Sequence, residues 1–186
     1  NISGNFLLNT NDSLIVGSGG GKIDLTAAAG SVGVFTKGTV YVYGKFVSAS
    51  SSDLTVNGAN IFIDPKGMAG VVPPTDEYIF RTTTGGGSTP FTFTSGTITI
   101  LNPNLSPVST REEINLNSSI APVITGSARF VIGQGTKTLG SPKGFRIRNN
   151  SKAIFSHLTL DADTGTVHLL SAVNVNGELR LNSGHI

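Results

Sequence analysis

One short phrase recurs along the chain and limits what it can fold into. An apolar residue alternates with a polar one, a glycine follows, and the alternation resumes. It reads Val173-Asn-Val-Asn-Gly177-Glu-Leu179-Arg-Leu181, Val40-Tyr-Val-Tyr-Gly44-Lys-Phe46 and Leu54-Thr-Val-Asn-Gly58-Ala-Asn-Ile61-Phe-Ile63, with a degenerate copy at Ile2-Ser-Gly4-Asn-Phe6. Alternation with a period of two is a strand with one apolar face. The glycine is then either the tip of a hairpin or a corner between two strands of one coil. Asn176-Gly177 is a favoured hairpin dipeptide, so the two cases were compared by matching faces. A two-residue hairpin puts Val175 opposite Glu178 and Val173 opposite Arg180. Opposed residues share a face, so each face would mix apolar and charged side chains, against the pattern of a half-buried sheet. At Gly44 the same turn pairs Val42 with Lys45 and fails likewise. The Gly58 copy carries one extra residue and passes as a hairpin. Two mismatches in three favour an all-β parallel β-helix, or β-solenoid, of short strands, with an antiparallel β-sandwich as the alternative. Gly4, Gly44, Gly58 and Gly177 are the expected corner glycines, since a corner often needs positive φ.

Strand-like alternation fills most of the chain, and no window has a sustained 3.6-residue period. The best helix candidate, Ser109-Thr-Arg-Glu-Glu-Ile114, is too short to stand alone. Leu158-Thr-Leu160, Val167-His-Leu169, Val173-Asn-Val175 and Leu179-Arg-Leu181 follow one another closely. Three such strands make a coil of roughly twenty-odd residues, within the range of solenoid repeats. Loops are expected at 68–74, 82–90 and 102–107, rich in Gly, Pro, Thr and Asn. They project from the rod or mark a boundary near residue 105. The expected organisation is a stack over 1–105 with projecting loops and a second stack over 106–186, or one continuous solenoid.

Composition narrows the functional classes. Only 13% of the residues are charged, while glycine alone contributes 24 of 186. Thr suits strands, and Asn, Ser and Gly suit turns. The formal charge of +2 rests on scattered cations. The densest group is Lys143, Arg146, Arg148 and Lys152, too sparse to neutralise a phosphate backbone, so nucleic acid is not an expected partner. Cysteine is absent, which argues against a small disulfide-stapled module. No window approaches 18 apolar residues, so membrane insertion of this segment is not expected. The first residue is Asn rather than Met, with no signal peptide, and the end stops as a strand begins. The sequence therefore reads as a segment of a longer polypeptide.

Residues that could carry chemistry are sparse. Glycosidic acid/base work needs two carboxylates held across the scissile bond. The acids, among them Asp12, Asp24, Asp53, Asp64, Glu112, Glu113 and Glu178, are scattered, and most Asp read as turn caps. No catalytic residue is assigned. Asp161-Ala-Asp163-Thr-Gly165 opens like a calcium loop but lacks the distal Glu, and reads as an Asx turn. His157, His168 and His185 lack zinc-ligand spacing, so no metal or cofactor is expected. Gly17-Ser-Gly-Gly-Gly21 precedes a strand rather than a helix and is read as a turn. Tyr41, Tyr43 and Phe46 form a candidate aromatic patch for sugar or protein contact, with core packing the plainer role for Phe46. The threonines of 92–99 are too irregular for an ice-binding ladder.

The stretch Phe155-Ser-His-Leu-Thr-Leu-Asp-Ala-Asp-Thr-Gly-Thr-Val-His-Leu-Leu-Ser-Ala-Val-Asn-Val-Asn-Gly-Glu-Leu-Arg-Leu-Asn-Ser-Gly184 resembles repeats of very large secreted surface proteins of Bacteroidota. The segment Phe93-Thr-Ser-Gly-Thr-Ile-Thr-Ile-Leu-Asn-Pro-Asn104 is similar to another recurrent segment of such proteins. The resemblance covers about a third of the chain. It implies export by the type IX secretion system, a sorting domain elsewhere in the polypeptide, and display at the extracellular cell surface. Some members are adhesins, including gliding adhesins, and no catalytic residues come with the resemblance. Asp12-Ser13-Leu14 resembles the O-glycosylation signal of these bacteria, which makes Ser13 a candidate site. The expectation is a non-enzymatic adhesin segment whose partners are the secretion machinery and an extracellular surface or glycan ligand. The alternatives are a carbohydrate-active β-helix enzyme and a phage or autotransporter fibre segment.

Overall fold

The computed structural model describes residues 5–8, 13–24, 32–48, 53–64, 78–83, 90–101, 112–133 and 144–185. Among them are fifteen strands and no helix. The strands fall into seven successive coils. β1 (Asn5–Leu8) and β2 (Ser13–Asp24) form the first, and β3 (Val32–Phe35) and β4 (Thr39–Ser48) the second. β5 (Asp53–Ile63) and β6 (Tyr78–Thr82) form the third, and β7 (Thr92–Ile100) and β8 (Glu112–Leu116) the fourth. β9 (Val123–Ile124), β10 (Arg129–Ile132) and β11 (Gly144–Asn149) form the fifth. β12 (Ile154–Phe155) and β13 (His157–Leu169) form the sixth, and β14 (Asn174–Val175) and β15 (Leu179–His185) the seventh.

Every described pairing is parallel. The chain is a parallel β-helix, and no described pairing is a hairpin. A parallel pair needs a long crossover, and here the crossover is the rest of the coil. Long strands change partners midway. Thr39–Val42 pairs with the second half of β5, whereas Phe46–Ser48 pairs with β6. Each coil thus supplies three faces. Face A holds β1, β3, the start of β5, the start of β7, β9, β12 and β14. Face B holds the first parts of β2, β4 and β13, the second parts of β5 and β7, and β10 and β15. Face C holds the last parts of β2, β4 and β13, with β6, β8 and β11. The ladders run unbroken past residue 105: β7 pairs with β9 and β10, and β6 with β8.

The register stacks equivalent side chains into inward columns. Face A stacks Phe35, Val56, Phe93 and Ile124. Face B stacks Val40, Ile61, Ile98, Phe130, Leu158 and Leu179. Face C stacks Ile23, Phe46, Phe80, Ile114, Ile147 and Leu169. The columns meet at Phe130, whose ring lies 5.3 Å from Phe93, 5.3 Å from Phe155 and 5.6 Å from Phe80, all at steep angles. Edge-to-face pairs add about 1 kcal/mol each beyond burial. The columns are buried through the middle coils and become half-exposed towards the end, where Leu169 of the sixth coil and Leu179 and Leu181 of the seventh are 45%, 48% and 50% exposed.

Coil length varies. Paired positions lie 21 residues apart at Leu158 and Leu179, 28 at Phe130 and Leu158, and 37 at Asn60 and Thr97. Along face B the paired positions step by 26, 21, 37, 32, 28 and 21 residues, so four of the six steps fit a coil of twenty-odd residues and two exceed it. The loop positions 68–74, 84–89 and 102–107 lie outside the described residues. The helix candidate at 109–114 gives way to strand β8. Its two adjacent glutamates hide the strand pattern, but Ile114 pairs between Phe80 and Ile147 and fixes the backbone in the stack.

Candidate functional site

The corner from face A to face B is short in the second to seventh coils, and in four of them a glycine of positive φ turns it. The chain passes it at Thr36–Gly38, Asn57–Ala59, Thr94–Gly96, Thr125–Ala128, Ser156 and Asn176–Glu178. Gly38, Gly58, Gly96 and Gly126 have φ of 87°, 100°, 94° and 61°, conformations that cost other residues about 1–3 kcal/mol. The coil below also comes close. A Cβ on Gly58 would lie 2.6 Å from the Thr36 carbonyl oxygen, and one on Gly96 2.2 Å from that of Ala59. One on Gly177 would lie 2.3 Å from the Ser156 carbonyl oxygen. Neutral side chains join successive coils at or beside this corner. Asn57 Oδ1 accepts from the hydroxyls of Thr94 and Ser95 at 2.9 Å each, and Asn60 Oδ1 accepts from Thr97 at 2.9 Å.

Of the expected corner glycines, Gly58 and Gly177 therefore share one corner. Gly44 lies elsewhere, between the parts of β4 that pair on faces B and C, with a nearly extended φ of 159°. Gly4 lies outside the described residues. Gly38, Gly96 and Gly126 were not anticipated. The signal for them is an inward apolar residue, then Thr or Asn, then glycine within three residues: Phe35-Thr-Lys-Gly38, Phe93-Thr-Ser-Gly96 and Ile124-Thr-Gly126. Ser13 is exposed at the start of β2, paired with Thr39.

Face B carries aromatic side chains that point outward. One outward row runs Ile15, Tyr41, Phe62, Thr99, Val131, Thr159 and Arg180. Tyr41 and Phe62 stack in parallel, 4.9 Å between centroids and 13° between planes. Ile15 is 66% exposed beside them, and Tyr43 is also exposed. Of the aromatic trio read from the sequence, Tyr41 and Tyr43 point outward while Phe46 is fully buried in the face C column. Phe62 supplies the missing ring. It lies one coil away, so only the register brings it to Tyr41.

Charge gathers in two clusters. At the far end of face B, Arg129 donates to Thr159 Oγ1 at 2.9 Å and to Glu178 Oε2 at 2.7 Å, while Arg180 donates to Glu178 Oε1. The hydrogen bond from Arg129, followed by that from Arg180, holds the Glu178 carboxyl below its ordinary value of 4.5. The Glu178 backbone N–H donates to His157 Nδ1 at 3.1 Å. On face C, Arg148 Nε donates to Glu112 Oε1 at 2.7 Å, and Asn115 donates to Glu112 Oε2. Glu113 Oε2 accepts the Arg146 backbone N–H at 2.7 Å. Arg81 lies over the Tyr78 ring, 4.3 Å from its centroid. Both oxygens of Glu112 and both of Glu178 are thus engaged by donors, an arrangement that locks coils together rather than presenting a base to a substrate.

Among the described residues no three His, Cys, Asp or Glu side chains converge where a metal ion could bind. The two fully described histidines lie on one strand but different faces, His157 on face B and His168 on face C. The expected turn at Asp161–Gly165 is instead a bulged stretch of β13, with register shifts between Leu160 and Thr166. No described helix is long and apolar enough to cross a membrane. Comparison with protein-family models, curated proteins and solved structures finds no match.

Proposed function

We propose that this chain is a non-enzymatic segment of a large extracellular bacterial surface protein, an adhesin whose β-helix rod presents side chains for attachment. The observation that carries this reading is the unbroken outward face of face B, where parallel coils hold Ile15, Tyr41 and Phe62 in register on a rigid sheet. Side chains on such a ladder keep fixed spacing without reorganising, which lowers the entropic cost of binding. The engaged state of Glu112 and Glu178 supports the same reading over catalysis. Display in copies along a longer polymer would convert weak contacts into firm attachment. Attachment to the cell exterior and passage through secretion machinery follow from the repeat grammar of residues 155–184 and belong to the proposal.

The test uses beads carrying the purified chain, passed under flow over polysaccharide-coated surfaces and over cells. The reading expects retention that rises steeply with the density of chain on the bead, and no change in polysaccharide length. Release of new reducing ends or unsaturated sugars would contradict it. That outcome would favour a carbohydrate-active enzyme centred on the face C cluster of Glu112, Arg148, Arg81 and Tyr78.

A further inference from the structure

We infer that the outward row Ile15–Tyr41–Phe62 of face B is a binding platform for a neutral polysaccharide, a proposal that rests on the adhesin reading and names its ligand class. Three observations converge on it. The first is shape. Adjacent strands lie about 4.8 Å apart, so three consecutive coils give an apolar strip roughly 10 Å long, about the length of a disaccharide. The two rings are parallel, 13° between planes, and stack on one another, so they stand together as one aromatic ridge. Pyranose rings offer flat C–H faces that lie against aromatic rings.

The second observation is exposure without a structural need. Ile15 is 66% exposed and Tyr41 38%, while the core columns are complete without them. Outward apolar side chains grouped in one place mark interaction sites more often than scattered ones do. The third is charge. The neighbouring outward row on the same coils is Ser13, Thr39, Asn60 and Thr97, all uncharged hydroxyls and amides able to meet sugar hydroxyls. Neither row carries a cation until Arg129, one coil further. An aromatic ridge with a hydroxyl and amide rim, and no charged side chain in either row on these coils, matches a neutral polyhydroxyl chain better than an acidic polysaccharide or a charged protein surface.

Affinity electrophoresis of the whole chain tests this in gels containing hydroxyethylcellulose, galactomannan, dextran or alginate, the last being anionic. The expected result is retardation in at least one neutral gel and none in alginate. Tyr41→Ala weakens that retardation about tenfold, the effect of losing one aromatic contact. Tyr41→Phe retains it, and Ile15→Ala, at the more exposed end of the strip, weakens it less. Thermal melts confirm that each variant folds. If Tyr41→Ala unfolds, Phe62→Leu serves instead, because it keeps the volume and removes the ring. Retardation in alginate alone, none in any neutral gel, or retardation unchanged in Tyr41→Ala overturns the platform. Beads held under flow as firmly with Tyr41→Ala as with the parent chain leave the adhesin reading standing and refute this site, whereas loss of all adhesion by the parent chain refutes both.

Discussion

The three corners of each coil are solved in different ways, and two of them make an instructive pair. From face A to face B the chain has almost no room, and the solution is to remove side chains: Gly58, Gly96 and Gly126 take positive φ and let the preceding coil's carbonyl approach within 2.2–2.6 Å of where a Cβ would be. From face C to face A the solution is to add one. Asn149, buried to 2%, donates through Nδ2 to the Ala153 carbonyl at 2.8 Å and the Ala172 carbonyl at 3.1 Å, and accepts the Ala153 N–H at 2.9 Å. One side chain thus satisfies the backbone of its own corner and of the next coil's. A turning backbone must find partners for its polar groups. It can do so by packing tightly enough for neighbouring coils to supply them, as at the glycine corner, where the Asn60 N–H donates to the Gly38 carbonyl at 2.9 Å. It can also recruit a side-chain amide. The first leaves a recurring sequence phrase; the second leaves a single asparagine among many.

The contrast can be broken by substitution. Gly96→Ala is expected to cost the most, about 3 kcal/mol, from a disallowed φ together with a collision against backbone that cannot swing away. Chemical denaturation measures it, and a cost below about 1 kcal/mol would show that the corner is looser than its geometry. Asn149→Ala should cost about 2 kcal/mol, because it strands buried backbone groups that no water replaces. Asn149→Asp would recover part of this only through the Ala153 N–H. Gly44→Ala, at the corner between faces B and C, should change stability by no more than about 0.5 kcal/mol in either direction, since its φ of 159° is nearly extended. A penalty like that of Gly96 would mean the two corners are equivalent after all.

The smallest expected effect concerns Glu178. Its carboxyl is held below 4.5 by Arg129 and Arg180. A group with a lowered folded value stabilises the fold above its unfolded value and loses that contribution as pH falls through the folded one. Stability of the parent chain should therefore decline on acidification below about pH 4.5 more steeply than that of Glu178→Gln. Parallel curves for the two proteins would show that the pair with Arg129 is not maintained in solution.

The sequence made the coil legible wherever strand, glycine and strand lie close together, as at Val175-Asn-Gly177, because alternation and face matching are local. Gly38 and Gly96 escaped for the opposite reason. Lys37 and Ser95 interrupt the alternation, and the constraint on Gly96 comes from a carbonyl one coil away. β8 escaped because Glu112 and Glu113 read as surface residues, whereas Arg148 and Asn115 make a place for Glu112 within the stack. The candidate platform was half legible. Tyr41 was visible as an outward aromatic, but its partner Phe62 is fixed only by register, which no local pattern encodes.

The parallel register between coils is the central claim, and the absence of cysteine permits a clean test. Directly paired parallel residues have Cα atoms close enough for a disulfide. The double variant Asn60→Cys/Thr97→Cys should oxidise to an intramolecular disulfide that peptide mapping identifies, because these residues are paired on face B. The double variant Val173→Cys/Arg180→Cys, opposed only if Asn176-Gly177 tips a hairpin, should remain reduced under the same conditions. A disulfide in the second variant with free thiols in the first would contradict the β-helix.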